Sequence, residues 1–334
     1  MNCVTICKSK IQDDEDENIE TADLDHLTDL NGFRIKGERA FLTDYIRWER
    51  CYRINRDKQE IKWNIFLKDH QNEMFPKNKR LKSLIRKGIP SSLRSKLWMD
   101  LSGATRKKLK NPEVYSKLLE GHHEIFSQIE LDLHRTYPDH PKFNSACFEM
   151  IDPFCTAISL ETSLTQALRR ILRAFAVRHP HIGYCQGMNC LAGAMLLNVD
   201  EESAFWLLCT LMEDILPPDY LSDKLIGCRI DLMVLDELLL IYAPGASRAL
   251  SVAGVGLDLL AIEWLICGFT RSLPSETTLR VWDCLLTEGS KTLLRVALAL
   301  LRNAQGSMCA AAAAATRPGV AVEGVAEGLQ AAAR

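Results

Sequence analysis

The sequence predicts an all-α fold, built as a single array of many helices. Apolar residues recur at steps of three and four in several stretches, the spacing of one buried helix face. No stretch alternates β-branched and polar residues between hairpin turns, so nothing favours a sheet. Short links with Pro, Gly or Asp, as at 217–219 and 244–245, separate the periodic stretches. This pattern is typical of a helical bundle without internal repeats.

Length and composition are those of a folded globular chain. The 334 residues suffice for one large domain or two ordinary ones, and 47% of them are hydrophobic. The formal net charge of -2 provides no overall basic field, so nucleic acid is not expected as a partner. The twelve cysteines are scattered singly without a CxxC pair, which indicates reduced thiols and no metal site.

The N-terminal part of the chain is polar. Its first ten residues are too polar for a signal peptide, residues 13–25 are dense in Asp and Glu, and no apolar run reaches the roughly 18 residues of a membrane span. We expect an acidic, largely disordered arm over residues 1–40 of a soluble, cytoplasmic protein. Nothing adjacent supports acylation of Cys3 or Cys7, so peripheral membrane association is the most that is expected.

A helical extension is predicted over residues 41–84. Its aromatic and apolar residues have the spacing of one or two amphipathic helices: Tyr45, Trp48, Tyr52, Ile61, Trp63 and Ile65. The basic run at 76–87 is usually only a solvated face, and a contact to a partner or a lipid is the alternative. Gly88-Ile89-Pro90 then breaks the pattern, and Ser91 is predicted to cap the N-terminus of the next helix.

The main helical domain is predicted over residues 85–305. Two sets of apolar residues each form a single stripe, and later stretches are more uniformly apolar and expected to lie deeper. The two stripes contain Leu164, Leu168, Ile171, Leu172 and Phe175, and Phe205, Leu208, Met212 and Ile215. An alanine run and a Gly/Val/Ala tail then bury little area, so residues 306–334 are predicted to be a disordered or frayed tail.

An arginine with a possible partner lies in the segment IELDLHRT, residues 129–136. Arg135 keeps its charge at any relevant pH, and its planar fork matches phosphate oxygens. Asp132, three residues earlier, is placed to hold that guanidinium or a nearby backbone group. By spacing alone the pair is more often an ordinary salt bridge on a helix surface.

A glutamine lies about fifty residues later, in the segment YCQGMN, residues 184–189. Gln186 stands between Cys185 and Gly187, and the glycine permits a tight turn before an apolar helix begins. An amide that projects from such a turn both donates to and accepts from a water molecule. The alternative is that Gln186 caps the helix or satisfies buried backbone, and for the residue alone that alternative is favoured.

Together, an arginine and a glutamine are the two side chains that a helper protein would need to complete the active site of a GTPase that hydrolyses GTP slowly by itself. Hydrolysis of GTP needs an oriented water and a positive charge beside the transferred phosphoryl group, and an arginine supplied in trans contributes ~10³ to 10⁵ in rate. The order IxxDxxRT followed by YCQGMN resembles the TBC domain family of GTPase-activating proteins for Rab GTPases.

The likeness to this family covers roughly residues 85–301. Its other blocks are Gly88-Ile89-Pro90 with Arg94, Trp98 and Gly103, then Phe205-Trp206, Asp219-Tyr220 through Asp231, Arg280 to Asp283, and Glu288-Gly289. Trp98 and Trp282 are by default core residues, because a tryptophan on an apolar helix face is seldom a ligand contact. The closing blocks and the helical stretch before Gly88 are most similar to the growth hormone-regulated TBC protein subgroup.

The resemblance implies a two-finger mechanism. Arg135 would stabilise the transition state, and Gln186 would replace the GTPase's own glutamine in orienting water. The supporting residues would be Asp132, Tyr184, Gly187, Asn189, Arg94 and Trp98. The partner would be a GTP-bound Rab that brings its own GTP and Mg²⁺, so no cofactor is expected here. Because Rab GTPases are lipid-anchored, the work would be done at the cytoplasmic face of an endomembrane, in vesicle trafficking.

One departure from the family pattern keeps a second hypothesis open. TBC domains usually continue into further helices after the helix that ends near Leu301, where this chain turns to low complexity. The intact pair of Arg135 and Gln186 favours a catalytic activator, whereas the shortened C-terminus favours a non-catalytic scaffold or effector that binds a GTPase or adaptor. No GxxxxGK[ST], HExxH, GxSxG or strand-linked GxGxxG motif supports another enzyme class.

Overall fold

The computed structural model describes residues 27–35, 39–70, 75, 78–143 and 164–315. Within those residues the regular structure is helical, apart from one isolated antiparallel bridge between Thr28 and Arg34. The predicted all-α class is therefore confirmed. In chain order the elements are α1 (Arg39–Asp69), α2 (Lys79–Lys87), α3 (Ser91–Ser102), α4 (Ala104–Lys110), α5 (Val114–Leu118), α6 (Phe126–Leu133), α7 (Leu164–Arg178), α8 (Met188–Leu196), α9 (Glu201–Thr210), a π-helical turn (Leu211–Ile215), α10 (Ile226–Tyr242), α11 (Pro244–Ala253), α12 (Leu257–Ile266), α13 (Ser275–Glu288) and α14 (Lys291–Ala315).

Helices α7 and α9 lie at the centre of the array. α7 packs against α5, α6, α8 and α9, and α9 also packs against α3, α4 and α8. The α7 stripe predicted from the sequence is buried apart from Leu164, which is half-buried. The single stripe predicted for α9 is wrong, because every residue from Ser203 to Thr210 is buried among neighbouring helices. The side chain of Asp200 caps α9 by accepting the backbone N–H of Ser203 at 3.0 Å. This core fixes α6 and α8, which carry the two motifs.

The N-terminal extension is one long helix followed by a short one. In α1, Trp63 is fully buried and donates its indole N–H to the carbonyl of Gly88 at 3.1 Å, whereas Ile61 and Ile65 are exposed. The apolar residues predicted in α1 therefore lie on two faces, one packed against the domain and one exposed to solvent. α2 crosses the predicted boundary at residues 84–85, so the extension and the main domain share this helix.

Helix α3 does not begin as expected. Ser91 is its first helical residue, and Pro90 is the capping residue, with no side-chain hydrogen bond at the cap. The prediction that Ser91 caps α3 is therefore wrong. The physical reason is that the carbonyl of Pro90 already accepts the backbone N–H groups of Leu93 and Arg94, at 2.9 and 3.1 Å, so the helix begins one residue earlier. The carboxylate of Asp283 in α13 holds the turn before it by accepting the backbone N–H of Ile89 at 2.8 Å.

The alanine run continues α14 as an ordered helix to Ala315. Leu301, Ala304, Met308 and Ala312 are buried at helical spacing, and α14 packs along α11. Gln305 accepts the backbone N–H groups of Gly245 and Ala246 at the start of α11, at 3.0 and 3.3 Å. The prediction of a disordered or frayed tail is therefore wrong for residues 306–315. Small side chains in α11 and α14 allow the two helices to pack closely. Residues 316–334 lie outside the described residues.

The later helices differ in depth. Trp282 in α13 is fully buried, as the apolar pattern predicts, whereas Leu259 in α12 is exposed, against the expectation for its stretch. Asp283 is also fully buried, which no apolar pattern predicts, because it is held by hydrogen bonds from Arg94 and Trp98. Taken singly, none of the described helices combines the length and hydropathy of a bilayer span, and only α11 and α12 together, bent by 117°, meet both criteria.

Part of the predicted acidic arm has a defined place. Residues 1–26 lie outside the described residues, but residues 27–35 form a turn that packs on the helical domain. We call residues 27–35 the N-terminal strap.

Candidate functional site

The first motif places a guanidinium over a buried carboxylate. α6 ends at Leu133, and the next turn carries Arg135; we call residues 134–137 the arginine loop. The carboxylate of Asp132 is buried and forms an ion pair with the guanidinium of Arg135, whose side chain is 52% exposed. The hydroxyl of Thr136 donates to the carbonyl of Asp132 at 2.8 Å and closes the end of the helix. The pair is therefore anchored from inside the fold, unlike an ordinary salt bridge on a helix surface.

The second oxygen of Asp132 connects the two motifs. It accepts the phenol O–H of Tyr184 at 2.5 Å, across 52 positions of sequence. Burial and the neighbouring carboxylate raise the pKa of the Tyr184 phenol well above its usual range, so the phenol stays protonated and donates. One buried carboxylate thus orients Arg135 and holds the residue that opens the second motif.

A second pair of hydrogen bonds joins the motifs from the other side. We call residues 184–188 the glutamine loop. Asn189, in the first turn of α8, accepts the backbone N–H of Gly187 at 3.2 Å and donates its amide to the hydroxyl of Thr136 at 2.8 Å. Gly187 has φ +103°, and a Cβ there would approach the carbonyl oxygen of Ile266 to 3.1 Å. Only glycine meets both conditions without strain.

Gln186 projects from this rigid turn. Its side chain is exposed and, within the described part of the chain, makes no hydrogen bond to another residue. The backbone N–H of Gly187 is satisfied by Asn189, so the amide of Gln186 is not used as a helix cap. The amide therefore points to solvent on a backbone that is fixed on both sides.

Arg94 and Trp98 lie in a different cluster. Arg94 is 1% exposed and donates to Glu276 at 2.6 and 3.0 Å and to Asp283 at 3.2 Å. Trp98 donates its indole N–H to Asp283 at 2.8 Å and is fully buried. These side chains join α3 to α13 inside the core. The structure thus brings Asp132, Arg135, Tyr184, Gly187 and Asn189 into one network and leaves Arg94 and Trp98 outside it.

Two residues of the network have no assigned role at the level of the sequence. Thr136 belongs to the first motif, and its hydroxyl bridges both loops. Tyr137 donates its O–H to the carbonyl of Cys190 in α8 at 2.6 Å. An aromatic residue directly after the motif is a visible signal, but the positive φ of Tyr137, 50°, is not readable from residue types.

The stretch after the arginine loop contains a buried neutral histidine. His140 accepts the backbone N–H of Lys142 at Nδ1, 3.1 Å away, and its Nε2 lies 3.0 Å from the carbonyl oxygen of Asn31, to which it donates. Burial lowers the pKa of His140, and the positive charge of Lys142 acts in the same direction. The hydrogen bond to the carbonyl of Asn31 and the charge of Asp29 raise the pKa, but burial outweighs them. At a pH between the two pKa values, His140 is therefore neutral in the native protein and protonated in the unfolded chain.

The lowered pKa of His140 predicts that the protein loses stability in acid. Because the native pKa is below the unfolded one, the contribution of His140 to stability is present above about pH 6.5 and is lost as the pH falls. We expect the urea midpoint to decrease from about pH 7 to about pH 5, and to decrease less in His140→Gln, whose amide donates without titrating. Equal decreases in both proteins would contradict this assignment.

Comparison with known proteins agrees with the all-α fold and shows the family. The Rab-GTPase-TBC domain model matches residues 91–308. Growth hormone-regulated TBC protein 1-A of Danio rerio is 39% identical over 251 residues, which are 74% of this chain and 66% of the relative. Growth hormone-regulated TBC protein 1 of Homo sapiens is 38% identical over 264 residues, 78% of this chain and 74% of the relative.

Solved structures agree as well. The crystal structure of the Chlamydomonas flagellar RabGAP TBC domain has a TM-score of 0.70 and 32% identity, and covers 92% of this chain and 99% of that one. The Ypt/Rab-GAP domain of Gyp1p has a TM-score of 0.60 at 20% identity, over 83% of this chain and 97% of that one, which shows a shared fold. The chain belongs to the Rab-GTPase-TBC domain family. Within it, the chain is similar to the growth hormone-regulated TBC proteins.

Proposed function

We propose that this chain is a GTPase-activating protein for a Rab-family GTPase and that Arg135 and Gln186 complete the partner's active site. Family membership supports the activity, since the matching model is the Rab-GTPase-TBC domain and the solved relative at 32% identity is a RabGAP TBC domain. The observation that carries the two-residue mechanism is the carboxylate of Asp132, which binds Arg135 and the glutamine loop at once.

Arg135 is suited to stabilise charge on the transferred phosphoryl group. Its guanidinium is half-exposed and held from beneath by Asp132, so few rotamers remain to be lost when it enters the partner's site. An arginine supplied in trans contributes ~10³ to 10⁵ in rate, which is on the order of 4 to 7 kcal/mol of barrier.

Gln186 is suited to orient the attacking water. Its carbonyl oxygen accepts a hydrogen bond from the attacking water, while its N–H donates a hydrogen bond to the phosphate side of the reaction. The backbone on both sides of Gln186 is fixed by Tyr184 and Gly187, so the amide is presented in one direction. In this mechanism Gln186 replaces the glutamine of the GTPase itself.

The partner in this proposal is a GTP-bound Rab protein. GTP and Mg²⁺ belong to that partner, so this chain needs no cofactor or metal of its own, and it has no role for nucleic acid. Because the partner is lipid-anchored, the chain works at the cytoplasmic face of an endomembrane by peripheral association and regulates vesicle trafficking.

The proposed function is tested by single-turnover phosphate release from a panel of GTP-loaded Rab proteins. We expect the chain to accelerate release from at least one of them, and that Rab is then the substrate. Binding to a Rab without acceleration would contradict the proposal and support the alternative, a non-catalytic scaffold.

A prediction for Gln186 separates its role from simple binding. In a responsive Rab whose own catalytic glutamine is replaced by alanine, the wild-type chain is expected to accelerate hydrolysis still. Gln186→Ala is expected to lower kcat/KM on both forms of the Rab by at least about 100-fold, because no amide then orients the water.

The matched control is Gln128→Ala, which removes an exposed glutamine from α6 outside both loops. We expect it to behave as the wild type. Full activity of Gln186→Ala on the Rab that lacks its own glutamine would contradict the assigned role.

A further inference from the structure

The N-terminal strap is a closed turn with its own internal bonds. The carboxylate of Asp29 accepts the backbone N–H groups of Asn31 and Phe33, both at 2.9 Å, and the N–H of Asp29 donates to the carbonyl of Phe33 at 2.9 Å. Gly32 lies between them with φ +89°, a conformation that favours glycine. The strap therefore has a defined shape that presents Asn31 and Phe33 to the domain.

One side of the strap is attached to α13. The side-chain amide of Asn31 donates to the hydroxyl of Ser275 at 2.6 Å, and that hydroxyl donates to the carboxylate of Asp29 at 2.5 Å. Ser275 is the first residue of α13, which packs against α2, α3 and α14. The strap is thus anchored to a rigid part of the array.

The other side of the strap contacts Tyr137, the last residue of the arginine loop, and His140, three residues after it. His140 donates to the carbonyl of Asn31 at 3.0 Å. The ring of Phe33 meets the ring of Tyr137 edge-on at 5.2 Å between centroids, and the ring of His140 at 4.7 Å. These are favourable edge-to-face geometries.

Tyr137 links the contact with Phe33 to the loop that carries Arg135. It is two residues from Arg135, its backbone is in the left-handed region at φ +50°, and its O–H is held by the carbonyl of Cys190. A non-glycine residue in that region is strained and persists only where the surroundings hold it. The ring lies against Gly193, where a Cβ would come within 2.8 Å of it. The strap, α8 and the arginine loop therefore meet at one side chain.

We propose that the N-terminal strap is a positioning element for the arginine finger. Phe33 and Asn31 hold Tyr137 and His140 in place, and this fixes the backbone that carries Arg135. The proposal rests on the proposed function for its catalytic consequence, but the coupling of strap to loop is a property of this chain alone. The strap also precedes the matched residues 91–308, so the family match does not assign it a role.

The test combines hydrogen exchange of the segment 133–143 with single-turnover GTP hydrolysis, in the full chain. Phe33→Ala removes the ring that faces Tyr137. We expect exchange in 133–143 to become about 10-fold faster and kcat to fall about 10-fold with KM little changed, since a misplaced finger weakens the transition state more than the ground state. Phe33→Tyr, which keeps the ring, is expected to restore both values.

The matched control is Leu30→Ala, an exposed side chain of the same turn, for which no change in either measurement is expected. Unchanged exchange in 133–143 on Phe33→Ala would overturn the proposal, as would faster exchange spread over all helices, which would mark a purely structural role. If the wild type accelerates no Rab, the proposed function fails, and the exchange comparison alone decides the coupling of strap to loop.

Discussion

Arg135→Ala is expected to lower kcat/KM for Rab GTP hydrolysis by at least about 100-fold without loss of helical structure. The guanidinium is half-exposed, and its ion pair is to Asp132, which keeps the phenol of Tyr184 as a second partner. Loss of Arg135 therefore removes the positive charge that would enter the partner's active site, but keeps the hydrogen bond between Asp132 and Tyr184. Single-turnover phosphate release and circular dichroism measure the two effects.

Two variants serve as controls for Arg135. Arg135→Lys keeps the charge but not the planar fork, so we expect it to recover only part of the activity. Arg302→Ala removes an exposed arginine from α14 and is expected to be as active as the wild type. Full activity of Arg135→Ala would contradict the role of this residue.

Arg94→Met is expected to cause the largest loss of stability, roughly 3–5 kcal/mol, because it leaves two buried carboxylates without their cation. Arg94 is 1% exposed and lies between Glu276 and Asp283, which are 7% and 0% exposed. Burial raises the pKa of Asp283 and acts in the same direction on Glu276. At Glu276 the hydrogen bonds and charge of Arg94, together with hydrogen bonds from Tyr52 and Asn31, outweigh burial, and the pKa is lowered. The free energy of unfolding from urea titration measures the loss.

The same cluster predicts how that loss depends on pH. Without the cation, the pKa of both buried carboxylates is higher in the native state than in the unfolded chain. The variant is therefore closest in stability to the wild type at acid pH, where both carboxylates are protonated. We expect the deficit relative to the wild type to shrink from about pH 8 to about pH 5. Arg86→Met is the control: Arg86 is half-exposed, and Glu288 keeps its ion pairs with Lys82 and Arg295, so a far smaller loss is expected. A deficit that stays constant with pH would contradict this account.

The sequence is informative where chemistry demands a residue type. Arg135 and Gln186 stand out only through the family resemblance of their two segments, and their catalytic roles stay predictions. Most of the apolar stripe of α7 is identifiable because burial follows the helical period. Asp132 is also identifiable as a partner of Arg135, because three positions separate neighbours on a helix.

Contacts between distant segments are not identifiable in this way. Asn31 bonds Ser275 across 244 positions, and Arg94 bonds Glu276 across 182. No local pattern encodes such pairs, so Arg94 resembles a site residue although it holds α3 to α13. The alanines of α14 likewise have little surface of their own, and they are ordered because α11 presents equally small residues to them.

The central claim, that Arg135 acts on the transition state in trans, is tested most directly by affinity for a mimic of that state. A responsive Rab is loaded with GDP and aluminium fluoride, and its dissociation constants are measured with the wild type and with Arg135→Ala. We predict that the wild type binds this state at least about 100-fold more tightly than the GDP state, and that Arg135→Ala loses this preference. Equal binding of the mimic by both proteins would contradict the claim.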